Sequence, residues 1–328
     1  MKLMKLAIDT KTLVIVVVIV AAIAGFFVGT NIRRRGSYME RYAPSGGVTA
    51  AQVHGVDAPQ GRFPYVAQIV TLMPDNSQAV CTGFLVAPNV VLTAAHCFFE
   101  SAKTVNFSNV FVFVGQGMNI GNPLFGPTTM ATSGLQMRNV KDIVWAPPYL
   151  DPSHPKSRDF AFVVLSSPIT DIAPVKVAGF TVPAKLPTIG APVVSVGYGA
   201  SSPNYALVNV LTGVTTYEKP TAANQPLNLQ MNKFNVKKYS PTTIEVALTS
   251  NHSGTCYGDS GGPLVVMGNS PSQDVVIGIL SAFKPSTRNL NAVGMTSYAT
   301  CAGQFYDIWF RTDAIPAATL AKLHRAMA

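Results

Sequence analysis

From Val53 onward the chain is a succession of short β-rich runs broken by turn residues, with no long amphipathic helix between them. The runs at 65–71, 83–86, 90–93, 109–114, 160–165, 193–197, 206–216, 243–248, 263–267 and 275–281 read as strands. Such spacing predicts an all-β barrel or sandwich and argues against a doubly wound α/β sheet. Composition points the same way. Only 12% of residues are charged, and Val, Thr, Ser, Gly and Pro are abundant, which favours strands and turns over helices. A length of 328 residues with 48% apolar content supplies a real core for one large or two modest units. Segments 116–137 and 217–241, rich in Gly, Pro, Asn and Thr, read as loops. The end differs: Asp313 reads as a helix cap with Pro316 in the first turn, and Leu320, Leu323 and Met327 as one apolar stripe.

Before Val53 the chain has another character. Residues 13–29, LVIVVVIVAAIAGFFVG, form an uninterrupted apolar run with Lys2, Lys5 and Lys11 before it and Arg33, Arg34 and Arg35 after it. Two readings stand side by side. One is a retained signal anchor, whose Gly25 and Gly29 offer a small-residue face. The other is a cleavable signal peptide, with Ala22-Ile23-Ala24 resembling a cleavage site. Under either, residues 1–35 carry the rest of the chain out of the cytoplasm. Residues 36–52, centred on Pro44-Ser45-Gly46-Gly47, read as a flexible linker, and the main domain as 53–328.

The net charge of +9 is concentrated at the start, where residues 1–52 hold seven Lys/Arg against two acids. The remaining surplus is mild for so large a body, so no nucleic-acid partner is expected. The cysteines are Cys81, Cys97, Cys256 and Cys301. An even count in an exported chain suggests two disulfides, and four cysteines allow three pairings. No C-x-x-C is present, and no metal site or cofactor is expected.

Three strings carry chemistry. Residues 254–264 read Gly-Thr-Cys-Tyr-Gly-Asp-Ser-Gly-Gly-Pro-Leu. A serine hydroxyl becomes a useful nucleophile when a base takes its proton, and flanking glycines let backbone approach a substrate closely. Residues 92–97, Leu-Thr-Ala-Ala-His-Cys, place His96 behind two small alanines. A histidine suits both removal and return of a proton near neutral pH. Asp159 precedes the apolar run Phe160-Ala161-Phe162-Val163-Val164-Leu165. It suits the carboxylate that fixes an imidazole tautomer, with Asp151 and Asp142 as rivals.

Together these strings resemble the trypsin/chymotrypsin-like serine peptidases (peptidase family S1), and the order His96, Asp159, Ser260 matches that type. The resemblance implies an all-β fold of two six-stranded antiparallel Greek-key β-barrels with a C-terminal helix, here preceded by an N-terminal hydrophobic helix. It implies a serine endopeptidase with His96, Asp159 and Ser260 as catalytic residues and the N–H groups of Gly258 and Ser260 as oxyanion hole. It also implies disulfides Cys81–Cys97 and Cys256–Cys301.

Val53-His54-Gly55-Val56-Asp57-Ala58 looks like the family's mature N-terminus. The resemblance implies a cut after Gln52, freeing an α-amino group at Val53 that pairs with Asp259. Gln52 stands where the family carries Arg or Lys. Substrate binding maps onto Gly254, Thr255, Tyr257, Ser281, Phe283 and Gly303. With glycine at 254, no carboxylate marks the pocket floor, and neutral apolar or small P1 residues are expected. The expected partner is a protein or peptide substrate, with the membrane added through residues 13–29 if that segment is kept. The protein is expected to be monomeric and extracytoplasmic, with activity rising from mildly acid to neutral pH. The competing readings are an inactive homologue that binds through the old cleft, and an esterase.

Overall fold

The structure, a computed structural model, describes residues 55–72, 78–99, 106–117, 135–146, 158–199, 205–208, 215–217, 226, 228–247, 254–284, 297–299 and 306–327. The apolar run 13–29, the linker 36–52, Val53, Asp151, Cys301 and Gly303 lie outside them. Among the described residues no helix is long and apolar enough to cross a membrane.

In chain order the elements are β1 (Val56–Asp57), β2 (Val66–Leu72), β3 (Gln78–Ala87), β4 (Val90–Thr93), the short α1 (His96–Phe99), β5 (Val110–Val114), β6 (Gln136–Trp145), β7 (Ala161–Leu165) and β8 (Lys176–Val177). The second half holds β9 (Pro192–Gly197), β10 (Tyr205–Val208), β11 (Thr215–Tyr217), β12 (Gln230–Tyr239), β13 (Thr243–Ala247), β14 (Pro263–Val266), β15 (Val275–Lys284), β16 (Ser297–Ala299), β17 (Tyr306–Arg311) and α2 (Ala317–Met327).

Strands β2-β3-β4-β7-β6-β5 close into one barrel. A second circuit closes through β9-β12-β13-β17-β15-β14, since β9 pairs with both β12 and β14. All of these pairings are antiparallel. Both barrels share one order. The fourth strand of each lies beside its first, and the first, second and third follow in turn, which is a Greek key. The expected two-barrel architecture is therefore present.

Three strands that close these barrels depart from the sequence expectation. β12 runs through the segment expected as a loop at 217–241. Its burial alternates, with Phe234 and Val236 inward and Lys233, Asn235 and Lys237 outward, the period-two signature of a half-buried strand. The polar residues that suggest a loop are its solvent face. β6 carries Arg138, Lys141 and Asp142 within a strand that is buried only near its end. β17 begins after residues that give no clear punctuation. The single run expected at 206–216 is instead two short strands, β10 and β11, which form a three-stranded sheet with β16.

The closing helix is present at 317–327, but Asp313 is not its cap. Asp313 sits in a 3-10 turn, Thr312–Ala314, where both its oxygens receive Arg311, from Nε at 2.9 Å and Nη2 at 2.8 Å. The turn holds the aspartate before the helix begins. Pro316 directly precedes the helix and accepts the N–H of Thr319 at 2.9 Å. Leu323 is fully buried, with Leu320 and Met327 packed at the edge of the core. That face lies against β6 and β7 of the first barrel, so the chain's end closes the barrel with which its domain begins.

The apolar core is arranged to hold the barrels together. One cluster fills the first barrel and continues into the second through Val194, Val196, Tyr198, Val265 and Phe310. A second cluster, with Phe234, Ile244, Leu264, Ile277 and Trp309, fills the second barrel. Phe160 of the first half stacks on Phe310 of the second at 5.0 Å between ring centres. Polar clamps add direction. Asp274, fully buried, accepts Arg62 Nη1 at 2.5 Å, Arg62 Nη2 at 2.7 Å, Tyr65 Oη at 2.8 Å and the Gly268 N–H at 2.8 Å. Burial next to Asp274 pushes the Tyr65 phenol pKa well up, so this hydroxyl stays a donor.

Candidate active site

His96 begins α1 immediately after β4, on the buried pair Ala94 and Ala95. Asp159 lies just before β7, the antiparallel neighbour of β4, and the Phe160–Phe310 stack anchors the next residue. That adjacency brings the two side chains together. His96 Nδ1 is 2.8 Å from Asp159 Oδ2, and the His96 backbone N–H donates to Asp159 Oδ1 at 3.0 Å. The carboxylate is fully buried, while the imidazole is partly exposed. Ser281 Oγ, on β15 of the second barrel, also donates to Asp159 Oδ2. Both oxygens are thus engaged, in keeping with the need to satisfy a buried carboxylate. Of the rivals, Asp142 accepts the N–H of Ile143 at 2.8 Å on β6.

The serine segment is tied to both barrels. Gly261 N–H donates to Leu280 O at 2.9 Å, and Leu280 N–H returns to Gly262 O at 2.9 Å. Asp259 N–H reaches Cys256 O at 3.0 Å, and Gly262 N–H reaches Asp259 O at 2.8 Å. These bonds fold 256–262 into a tight turn with Ser260 partly exposed near its tip. Two glycines permit it. Gly258 has φ +99°, and Gly261 has φ +81° with an added Cβ only 2.0 Å from Thr93 Oγ1. L-residues rarely adopt such angles. No acceptor among the described residues takes the N–H of Gly258 or of Ser260. Beneath them the Asp259 carboxylate is fully buried and accepts the N–H groups of Gly199 at 2.8 Å and Cys256 at 2.9 Å.

Thr82 carries no mark in the sequence. It lies between Cys81 and Gly83 on β3. Its N–H donates to Ser260 O at 2.8 Å, and its Oγ1 donates to Gly258 O at 2.8 Å while receiving the Tyr198 N–H at 3.2 Å. Its own carbonyl accepts Thr93 Oγ1 at 2.7 Å. Thr82 therefore fixes the serine segment to the first barrel. No local pattern reveals such a residue, because Gly258, Ser260 and Tyr198 lie more than a hundred positions away.

Cys81 and Cys97 form a disulfide, S–S 2.08 Å, which closes a short loop behind His96. A loop of this length contributes roughly 3 kcal/mol by constraining the unfolded chain. The sulfurs lie near the His96 ring, but bonded to each other they are not thiolate ligands. Cys256 is also disulfide-bonded, and Cys301 falls outside the described residues. Gly254 and Thr255 are buried, Tyr257 is exposed and Ser281 is buried. Phe283 pairs with Asp307 in the β15–β17 ladder. Val53 and Gly303 are outside the described residues.

A second residue of the site has no sequence signal. Asp307, on β17, is fully buried and accepts the Thr255 N–H at 3.0 Å through Oδ2. Burial, with Asp259 nearby, pushes its pKa up to about 7.

Two antiparallel six-stranded barrels, with a histidine–aspartate pair on one and a tightly turned serine on the other, define a class, and comparison with known proteins places the chain within it. The family model described as Trypsin matches residues 52–302, so this chain belongs to the trypsin-like serine peptidase family. Tonin of Rattus norvegicus is 27% identical over 205 residues, covering 58% of this chain and 68% of that protein. Kallikrein 1-related peptidase b27 of Mus musculus is 30% identical, covering 59% and 68%. Trypsin of Saccharopolyspora erythraea is 29% identical, covering 65% and 81%.

Proposed function

We propose that this protein is a serine endopeptidase working through an acyl-enzyme. His96 takes the proton of Ser260 Oγ as that oxygen bonds to the scissile carbonyl carbon. The negative charge that develops on the carbonyl oxygen is received by the N–H groups of Gly258 and Ser260. His96 returns the proton to the leaving amine as the C–N bond breaks. Water, deprotonated by His96, then releases the acyl group and restores Ser260. Asp159 holds the Nδ1–H tautomer and balances the imidazolium. The observation that carries this reading is the Asp159 carboxylate, buried and shared by His96 Nδ1, the His96 N–H and Ser281 Oγ. Such full engagement fixes the Nδ1–H tautomer and leaves the imidazole's other nitrogen as the one that accepts a proton.

The reading extends to activation. A cut after Gln52 would free the Val53 amino group to pair with Asp259, whose buried carboxylate braces the Gly258–Ser260 segment. A buried ammonium–carboxylate pair forms only once the amine exists, which makes it a switch. The peptidase domain then runs from Val53 to the C-terminus, behind a linker at 36–52. The disulfide suits an extracytoplasmic site of action, reached through residues 13–29 as anchor or cleaved signal.

The test is covalent. Full-length protein, uncut and after cleavage at Gln52–Val53, is treated with a fluorophosphonate and the labelled residue located by peptide mass analysis. Label on Ser260 of the cut form is expected, with little on the uncut form. Equal labelling would remove the switch and keep the peptidase. No label on either form would leave the inactive binding homologue.

A further inference from the structure

The outward face of this domain is more basic than its charge count implies. Residues 53–328 hold seventeen Lys/Arg against thirteen acids, and four of those acids, Asp159, Asp259, Asp274 and Asp307, are fully buried. A carboxylate committed inside the core no longer balances a cation outside. Part of the unbalanced charge gathers where α2 lies on β6. An open groove of about 500 Å³ runs there, with Ile143, Val144 and Trp145 as an apolar floor and Lys322 and Arg325 on its helix side. Both cations are exposed.

Helix capping accounts for only part of this arrangement. Lys141 Nζ donates to Ala326 O at 3.3 Å, and Arg325, in the last turn, complements the negative end of the helix dipole. Lys322 lies before that last turn. It stands three residues from Arg325, so the two like charges share a helix face and repel. Neither takes part in an ion pair among the described residues. Asp142 is the acid that lines the groove, and its Oδ1 is engaged by the Ile143 N–H at 2.8 Å. Two cations held close above an apolar floor, with no carboxylate between them, suit a ligand that brings its own acids.

We propose that the groove between α2 and β6 is a docking site for an acidic peptide segment of a partner protein. Glutamate or aspartate of that segment meets Lys322 and Arg325, and an apolar side chain rests on the floor from Ile143 to Trp145. The floor favours a peptide over a sulfated polysaccharide, which has nothing apolar to place there. The groove borders the strand that follows Asp159, because Val144 and Trp145 pair with Phe162 and Ala161 of β7. A partner held there is bound to the barrel that supplies His96 and Asp159, and its binding does not require Ser260 to act as a nucleophile.

The probe is a short fluorescein-labelled peptide of glutamates interrupted by leucine and phenylalanine. It is titrated by fluorescence anisotropy against full-length protein carrying Ser260→Ala, which leaves the peptide intact. Saturable binding is expected, weakening as salt is added. Lys322→Gln with Arg325→Gln is expected to weaken it by at least about fivefold, since two exposed ion pairs are lost. Lys185→Gln with Lys238→Gln removes the same charge from exposed positions elsewhere and is expected to leave binding unchanged. Replacing the leucine and phenylalanine of the peptide by serine is expected to weaken it by at least about fivefold as well. Absence of saturable binding overturns the proposal and leaves the Ser260 reading untouched. Equal weakening by the two double variants overturns it too, because the attraction then belongs to the net charge. Indifference to the serine replacement also overturns it, and displacement by heparin would then identify the ligand as a polyanion. Thermal melting checks the fold of each variant; if the α2 double variant does not fold, Lys322→Gln alone decides.

Discussion

Thr82 of the first barrel donates its backbone N–H to the carbonyl of Ser260 in the second, at 2.8 Å. The serine is thereby held by a residue of the opposite barrel, while its own barrel holds the two residues after it, Gly261 and Gly262, through Leu280. The threonine hydroxyl adds the bonds to Gly258 O and from Tyr198 N–H. Thr82→Val keeps the shape and the backbone bond and removes only those two. Stability is expected to fall by about 1–3 kcal/mol. Fluorophosphonate labelling of Ser260 is expected to slow by about tenfold, since about 1.4 kcal/mol of lost positioning is one decade. Thermal melting and labelling kinetics on the same sample separate the two effects.

Ser281 Oγ and His96 Nδ1 share Asp159 Oδ2. Ser281→Ala leaves that oxygen with one partner fewer. A hydrogen bond to a charged group is worth about 1.5–3 kcal/mol, so kcat is expected to fall by about one to two decades, with KM little changed. A purely structural serine would alter stability and leave kcat alone.

Asp274 receives Arg62, Tyr65 and Gly268 in full burial, and Arg62 is itself only slightly exposed. Asp274→Ala takes the carboxylate from a guanidinium whose Nη2 keeps the Gly268 carbonyl at 2.9 Å, and removes the acceptor for a buried phenol. The expected loss is about 3–5 kcal/mol, read by urea unfolding. Replacing Arg62 and Asp274 together by apolar residues is expected to recover part of it.

Asp307 makes stability depend on pH in an unusual direction. Its folded-state pKa is raised to about 7, by burial first and by the Asp259 charge in addition. The folded state therefore prefers the protonated form. Its contribution is complete below the ordinary carboxylate range and is lost as pH rises through about 7. Between about pH 4 and pH 8 the wild type is expected to lose several kcal/mol that Asp307→Asn does not, because each tenfold difference in proton affinity between the folded and unfolded chain is worth about 1.4 kcal/mol. Parallel unfolding curves of the two proteins at several pH values read the difference directly. Identical pH profiles would show that Asp307 ionises as an ordinary carboxylate.

The local sequence determined the parts of this protein whose chemistry is contiguous. The turn around Ser260 is written in glycines that must adopt positive φ, His96 in its small neighbours, and Asp159 in the apolar strand it precedes. Most strands are legible because an apolar run between turn residues is a local signal. β12 is not, because its outward lysines and Asn235 resemble a loop until its partners bury the alternate positions. β6 and β17 are obscure for kindred reasons, and Asp313 resembles a cap because the 3-10 turn that gives it to Arg311, two residues before, leaves no separate mark in the sequence. What the tertiary structure alone decided is which distant groups meet. Thr82 became the brace of Ser260, Ser281 the second donor to Asp159, and Asp307 a buried carboxylate beside Thr255, each across a barrel seam or between strands far apart in sequence. Hydrogen bonds and desolvation depend on separation in space, and a barrel closes only when every strand has found its neighbour.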